Sequence, residues 1–227
     1  MTSPIIVALD LEHTLAIDLA KKLDPEDCRL KVGNQLFTSA GPKVIEELSM
    51  LGFDVFLDLK FHDIPNTVAQ SVKAASNLGV WMLNVHASGG SIMMNAAKEA
   101  TSELLKPPLI IGVTMLTSLS EKDVNEIGIQ DISNQALSLA SLAKKNSLDG
   151  VVCSVNEVRR IKELLGKDFI TVTPGIRFSN SQKDDQSRVS TARNAIENGS
   201  DYLVIGRPIT QSDNPVESLD SIIKEIS

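Results

Sequence analysis

Asp58, Lys60 and Asp63 form an Asp-x-Lys-x-x-Asp triplet at the end of the apolar run 54-DVFLDL-59, and Ile64-Pro65-Asn66-Thr67 follows at once. The run reads as a buried strand, and the proline reads as the first turn of a helix. Charges are costly to bury unless they are paired or put to use. Asp58 and Lys60 stand two apart, so a regular strand turns both to one face. Alternating signs in a confined place favour each other's charged form, which keeps Lys60 protonated and able to act as a general acid. A rim salt bridge is the plainer reading of any single Asp-Lys pair.

Further groups with chemical potential recur at the ends of other apolar runs. Asp10 follows 5-IIVAL-9, Lys31 lies within 29-RLKVG-33, Thr114 and Thr117 lie at and beyond the end of 109-LIIGVT-114, and Arg177 ends 174-PGIR-177. Four charges (Asp10, Lys31, Asp58, Lys60) on three consecutive strand ends favour a working site over a rim cluster, because each burial has to be offset. Gly206-Arg207-Pro208 follows 202-YLVIG-206 and opens a helix. Glycine lets backbone approach an anion, N–H groups at a helix start point at it, and arginine adds a two-pronged donor. His13, His62 and His86 share no metal-ligand spacing and read as surface or structural residues. Asp58 and Asp63 are of the right type for Mg²⁺, but an ammonium between them competes with the ion.

The elements that must position these groups are eight short runs: 5–9, 29–33, 54–59, 80–85, 109–114, 149–154, 169–173 and 202–206. Helical spacing lies between them, with Leu15, Leu19 and Leu23 on one face. Val44, Ile45 and Leu48 share another, as do Ala136, Leu139, Ala140 and Ala143, and Val158, Ile161, Leu164 and Leu165. Gly52, Gly79, Asp149, Asp168 and Asp201 precede strands and read as helix stops and turns. Continuous apolar strands indicate a parallel sheet buried on both faces. Eight βα units in 227 residues predict an α/β fold, a single-domain (β/α)8 TIM barrel over residues 1–227, with its active site at the C-terminal strand ends. A doubly wound open sheet is the alternative, but it more often has fewer strands. One that binds a dinucleotide also has a glycine-rich first turn, where this chain has Asp10-Leu11-Glu12-His13. The polar stretch 177-RFSNSQKDDQSR-188 reads as a long loop on the catalytic face, placed to close over substrate.

Composition narrows the partners. Net charge is -7 with no Lys/Arg block, and aromatic residues make up 4%, which argues against nucleic acid. No apolar stretch reaches the ~20 residues of a membrane helix, and no signal peptide is apparent. Cys28 and Cys153 match no metal spacing and read as buried thiols in a reducing cytoplasm.

Taken together, these residues resemble the orotidine 5'-phosphate decarboxylase family. The likeness spans the chain: VALD with Asp10, KVG with Lys31, the triplet with IPNT, MLTS with Thr117, TPGIR with Arg177, Gln186 in the polar loop, and VIGRPI with Gly206 and Arg207. The resemblance implies a homodimeric barrel that converts orotidine 5'-monophosphate to UMP and CO2 in pyrimidine biosynthesis, without metal or organic cofactor. It implies that Lys60 donates the proton to C6, that Asp58 lies beside the substrate carboxylate, and that Asp63 comes from the partner subunit to complete the Lys-Asp array, with Lys31 also among the catalytic residues. Asp10 and Lys31 would contact the ribose, Thr117 the pyrimidine, and Arg177, Gln186, Gly206 and Arg207 the phosphate, with Thr67 also in the substrate-binding set. A positive group preorganised at C6 suits a reaction that leaves negative charge there. The rivals are a Mg²⁺-dependent sugar-phosphate aldolase or decarboxylase using Asp63, and a non-catalytic nucleotide-binding barrel.

Overall fold

A computed structural model describes residues 3–177 and 190–227. Among them, eight parallel strands close into a barrel in chain order: β1 (Ile5–Ala8), β2 (Arg29–Gly33), β3 (Val55–Phe61), β4 (Met82–His86), β5 (Leu109–Val113), β6 (Gly150–Val152), β7 (Ile170–Thr173) and β8 (Tyr202–Ile205). Ile6 pairs with Val204, which joins β1 to β8 and closes the ring. Around it lie α1 (His13–Ala20), α2 (Asn34–Ala40), α3 (Lys43–Met50), α4 (Pro65–Ser76), α5 (Gly90–Glu99), α6 (Glu121–Glu126), α7 (Ile132–Lys145), α8 (Val155–Leu165), α9 (Ala192–Glu197), α10 (Arg207–Thr210) and α11 (Pro215–Ile226). The barrel is the architecture that the eight apolar runs predict, and the open sheet is set aside.

Strand alternation divides the core into two layers. Ile6, Ala8, Phe56, Met82, Ile111, Val172 and Val204 fill the barrel interior. Ile5, Val7, Leu30, Val32 and Leu57 point the other way, against the helices. Both faces of the strands are therefore largely buried, which is why the strands read as continuous apolar runs.

Two leucines fall outside the expected helix faces. Leu15 is 58% exposed, and the packed face of α1 is Ala16, Leu19 and Ala20. Leu164 is 62% exposed, while Val158 and Ile161 of α8 are buried. Each departure is confined to that one leucine: Leu19 and Leu23 are buried as their spacing predicts, as are Val158 and Ile161, and Leu165 packs against the core. The faces of α3 and α7 are buried as their spacing predicts.

β3 departs from regular pairing. Leu57 pairs with Leu83, but the next partner pair is Phe61 with Val85, so Asp58, Leu59 and Lys60 lie against Asn84 alone. Lys60 takes a left-handed conformation, φ 53°, which non-glycine residues seldom adopt.

Candidate active site

The alternation that sends Ala8 and Phe56 inward also sends Asp10 and Asp58 inward, and Lys31 follows Arg29 on the same face of β2. Register sets them side by side, since Ala8 pairs with Lys31 and Gly33 with Asp58. The result is a continuous run of alternating charge. Lys31 Nζ donates to Asp10 Oδ1 at 3.0 Å and lies 3.3 Å from Asp58 Oδ2. Lys60 Nζ donates to Asp58 Oδ1 at 2.7 Å. The close approach needs Gly33, because a β-carbon there would lie 3.0 Å from both Asp10 Oδ1 and Lys31 Nζ.

Both central groups are charged against the pull of burial. Burial opposes the Lys31 ammonium, yet the carboxylates of Asp58 and Asp10 outweigh it and raise the lysine above its ordinary range. Burial likewise opposes the Asp58 carboxylate, and the charges of Lys31 and Lys60, with hydrogen bonds from Lys60 and Asn84, hold it below its ordinary range. The sequence-based inference that Asp58 and Lys60 share a face reaches the right outcome by the wrong route. Regular alternation is interrupted between them, and the left-handed turn at Lys60 accompanies the return of its ammonium to Asp58.

The array lines a cavity of about 580 Å³ at the C-terminal ends of the strands, a volume in the range of small-molecule sites. Asp10, Lys31, Asp58 and Lys60 contribute one side. Thr117 follows β5, Arg177 follows β7, and Gly206 with Arg207 joins β8 to α10, all on the same cavity. Gly206 is the N-cap of that short helix, with Pro208 in its first turn. An acid-base array on one side and two guanidinium groups among the β7 and β8 ends suit a bound anion with a reacting centre at the lysine.

Not every expected residue meets the cavity. Asp63 is exposed, and its carboxylate accepts the N–H of Ile64 at 2.6 Å. Thr67 is exposed on α4. Neither lines the cavity of this single chain. Gln186 lies outside the described residues. His62 is exposed and its ring lies 5.3 Å from that of His86, whose imidazole is held below its ordinary range by burial and by the charges of His62 and Lys60. Among the described residues, no three His, Cys, Asp or Glu side chains gather as metal ligands.

Sequence reasoning missed Asn84. It is fully buried on β4, donates to Asp58 Oδ1 at 2.7 Å and accepts the Lys60 N–H at 2.8 Å. The only sign of it was one amide inside the apolar run VWMLNV. Ser118 and Gln211 also line the cavity and were not singled out.

Comparison with known proteins agrees with this geometry. Residues 3–222 match the family model described as Orotidine 5'-phosphate decarboxylase / HUMPS family. The chain is 54% identical over 228 residues to an orotidine 5'-phosphate decarboxylase of Chromobacterium violaceum, covering 100% of this chain and 92% of that one. It is 52% identical to that of Saccharophagus degradans, covering 98% and 94%. The crystal structure of orotidine 5'-phosphate decarboxylase from Lactobacillus acidophilus superposes with a TM-score of 0.86 at 42% identity, covering 99% of each chain.

Proposed function

The chain belongs to the orotidine 5'-phosphate decarboxylase / HUMPS family and decarboxylates orotidine 5'-monophosphate to UMP in pyrimidine biosynthesis; from that premise we propose that Lys60 is its proton donor. The observation that carries this assignment is the Asp10–Lys31–Asp58–Lys60 array, with the Lys60 ammonium held at the cavity wall by a buried, charged Asp58. The relatives give no support to a Mg²⁺-dependent sugar-phosphate enzyme or to a non-catalytic barrel.

In the proposed reaction the bond from C6 to the carboxylate breaks, CO2 leaves, and the electron pair stays on C6. No electron sink within the ring disperses that charge, so a preorganised cation beside C6 lowers the barrier. Lys60 is that cation, and its proton then forms the C6–H bond. Asp58 sets a second negative charge beside the substrate carboxylate and favours its departure. Asp10 and Lys31 hold the ribose, and Thr117 meets the pyrimidine. Arg177, Gly206, Arg207 and Gln186 hold the phosphate, whose binding energy orders the site from a distance. Residues 1–227 form one catalytic unit on this reading, working in the cytoplasm, in keeping with its buried thiols.

Asp63 and Thr67 are assigned to the neighbouring active site of a homodimer, a reading supported by their exposure on the barrel rim just beyond Lys60. Mixing Lys60→Ala with Asp63→Ala tests it. Hybrid dimers with one intact site restore up to about a quarter of native turnover, whereas a mixture as inactive as its parts contradicts the shared site.

The activity itself is tested by the ultraviolet spectrum of orotidine 5'-monophosphate mixed with the purified protein in EDTA. Rapid conversion to the spectrum of UMP is expected. An unchanged spectrum, with Mg²⁺-dependent turnover of a sugar phosphate, overturns the reading.

A further inference from the structure

We infer that Asn84 is the positioning residue of the lysine-carboxylate array, the group that fixes both the carboxylate of Asp58 and the backbone of Lys60. This inference rests on the decarboxylase reading above and adds to it a residue that does not line the cavity.

The irregular pairing of β3 creates the need for such a group. Three residues, Asp58, Leu59 and Lys60, lie against Asn84 alone, so the ladder cannot serve every backbone group of the bulge. The Asn84 side chain supplies what is missing, because its Oδ1 accepts the Lys60 N–H at 2.8 Å. That bond anchors a residue at a φ of 53°, which non-glycine residues seldom adopt. The other half of the same amide donates from Nδ2 to Asp58 Oδ1 at 2.7 Å, the oxygen that also receives Lys60 Nζ at 2.7 Å. One fully buried amide thus holds both ends of the Asp58–Lys60 pair. Its orientation is dictated by its neighbours. A backbone N–H can only donate and a carboxylate can only accept, so a flipped amide would lose both bonds.

The other groups around Asp58 define what a substitution disturbs. Lys31 faces it from β2, Lys60 from its own strand, and His86 lies two residues beyond Asn84 on β4, with Asp10 behind Lys31. Asparagine is the one residue type that fits Asn84's position without adding charge while offering a donor and an acceptor side by side at this length.

The test is steady-state kinetics of Asn84→Ala and Asn84→Asp on orotidine 5'-monophosphate across pH, with UMP binding measured in parallel. For Asn84→Ala, kcat is expected to fall by about 100-fold, because a small displacement of a reacting group has that size of effect. Affinity for UMP should stay within about threefold, since the ribose and phosphate contacts are untouched. Asn84→Asp keeps the shape but sets an oxygen against Asp58. Its kcat is low at neutral pH and rises as pH falls, because a protonated Asp regains a donor where Nδ2 stood. Its optimum therefore moves to the acid side of the native one. A merely structural role lowers the melting temperature and leaves the pH profile in place. An Asn84→Ala kcat within threefold of native, or an Asn84→Asp profile that superimposes on native, overturns the inference. If Asn84→Ala does not fold, the Asn84→Asp profile decides. A native protein that leaves the substrate unchanged overturns the decarboxylase reading instead.

Discussion

Arg29 and Lys31 stand two residues apart on β2, both inside the barrel and both buried, yet they serve opposite ends of it. Arg29 closes the N-terminal end. Its guanidinium lies 4.4 Å from the ring centre of Trp81 and 5.3 Å from that of Tyr202, donates to the Ser3 carbonyl at 2.8 Å, and meets Asp54 at 3.3 Å. Other charges at that end are matched in the same self-contained way. Lys98 pairs with Asp149, which also accepts the N–H of Ile110, and Lys162 pairs with Asp201, which accepts that of Thr171. Lys31 instead enters a run in which carboxylate and ammonium alternate and one carboxylate serves two lysines. That run ends on a cavity. Charges paired among themselves hold a fold together, whereas a shared carboxylate beside a cavity leaves a cation able to act on something else.

The largest effect is expected from Lys60→Ala. It should cost at least about 10⁴-fold in kcat, combining the loss of a general acid and of a cation at the developing charge, while UMP still binds in an equilibrium assay. Arg207→Ala comes next. Losing a charge-assisted anchor for the phosphate raises KM by roughly 10- to 100-fold, and an unchanged KM would remove Arg207 from the site. At the other end, Arg29→Met should lower stability by about 2 kcal/mol, the scale of a desolvated cation–π contact, with kcat intact. Chemical denaturation checks the first part and the decarboxylation assay the second.

Two smaller effects are expected at Lys60 and His86. The left-handed φ of Lys60 is a strain accepted at the working end. Lys60→Gly should therefore be more stable than Lys60→Ala by about 1 kcal/mol, although both are inactive. Equal unfolding free energies would show that the conformation costs nothing. His86 is held below its ordinary value of 6.5, chiefly by burial. The unfolded chain takes up that proton first as pH falls below 6.5, so stability declines on the acid side of that value. Replacing His86 with Gln should flatten the decline between about pH 6.5 and 5 in a melting series, and an unchanged slope would rule out His86 as its source.

The working end was also the more legible of the two. Asp10, Lys31, Asp58, Lys60, Thr117, Arg177, Gly206 and Arg207 lie on one cavity because each lies in, ends or follows an apolar run, and strand alternation orients Asp10, Lys31 and Asp58. Asp149 and Asp201 were read only as turn residues, yet each reaches the first N–H groups of the preceding strand and a lysine on a nearby helix. That role depends on three separate segments, and local spacing carries no trace of it. Asn84 was hidden for a similar reason. A buried amide in an apolar run looks the same whether it serves its own strand or a bulge in the next one. The bulge itself has no marker, since no glycine or proline interrupts 54-DVFLDL-59, and the left-handed residue is a lysine rather than a glycine.

The most direct test of the contrast between the two ends is kcat for Lys60→Ala and Arg29→Met, measured side by side on orotidine 5'-monophosphate well below both melting temperatures. Turnover is expected to be lost in Lys60→Ala and close to native in Arg29→Met. Near-native turnover in Lys60→Ala, or an equal loss in both, would contradict that contrast.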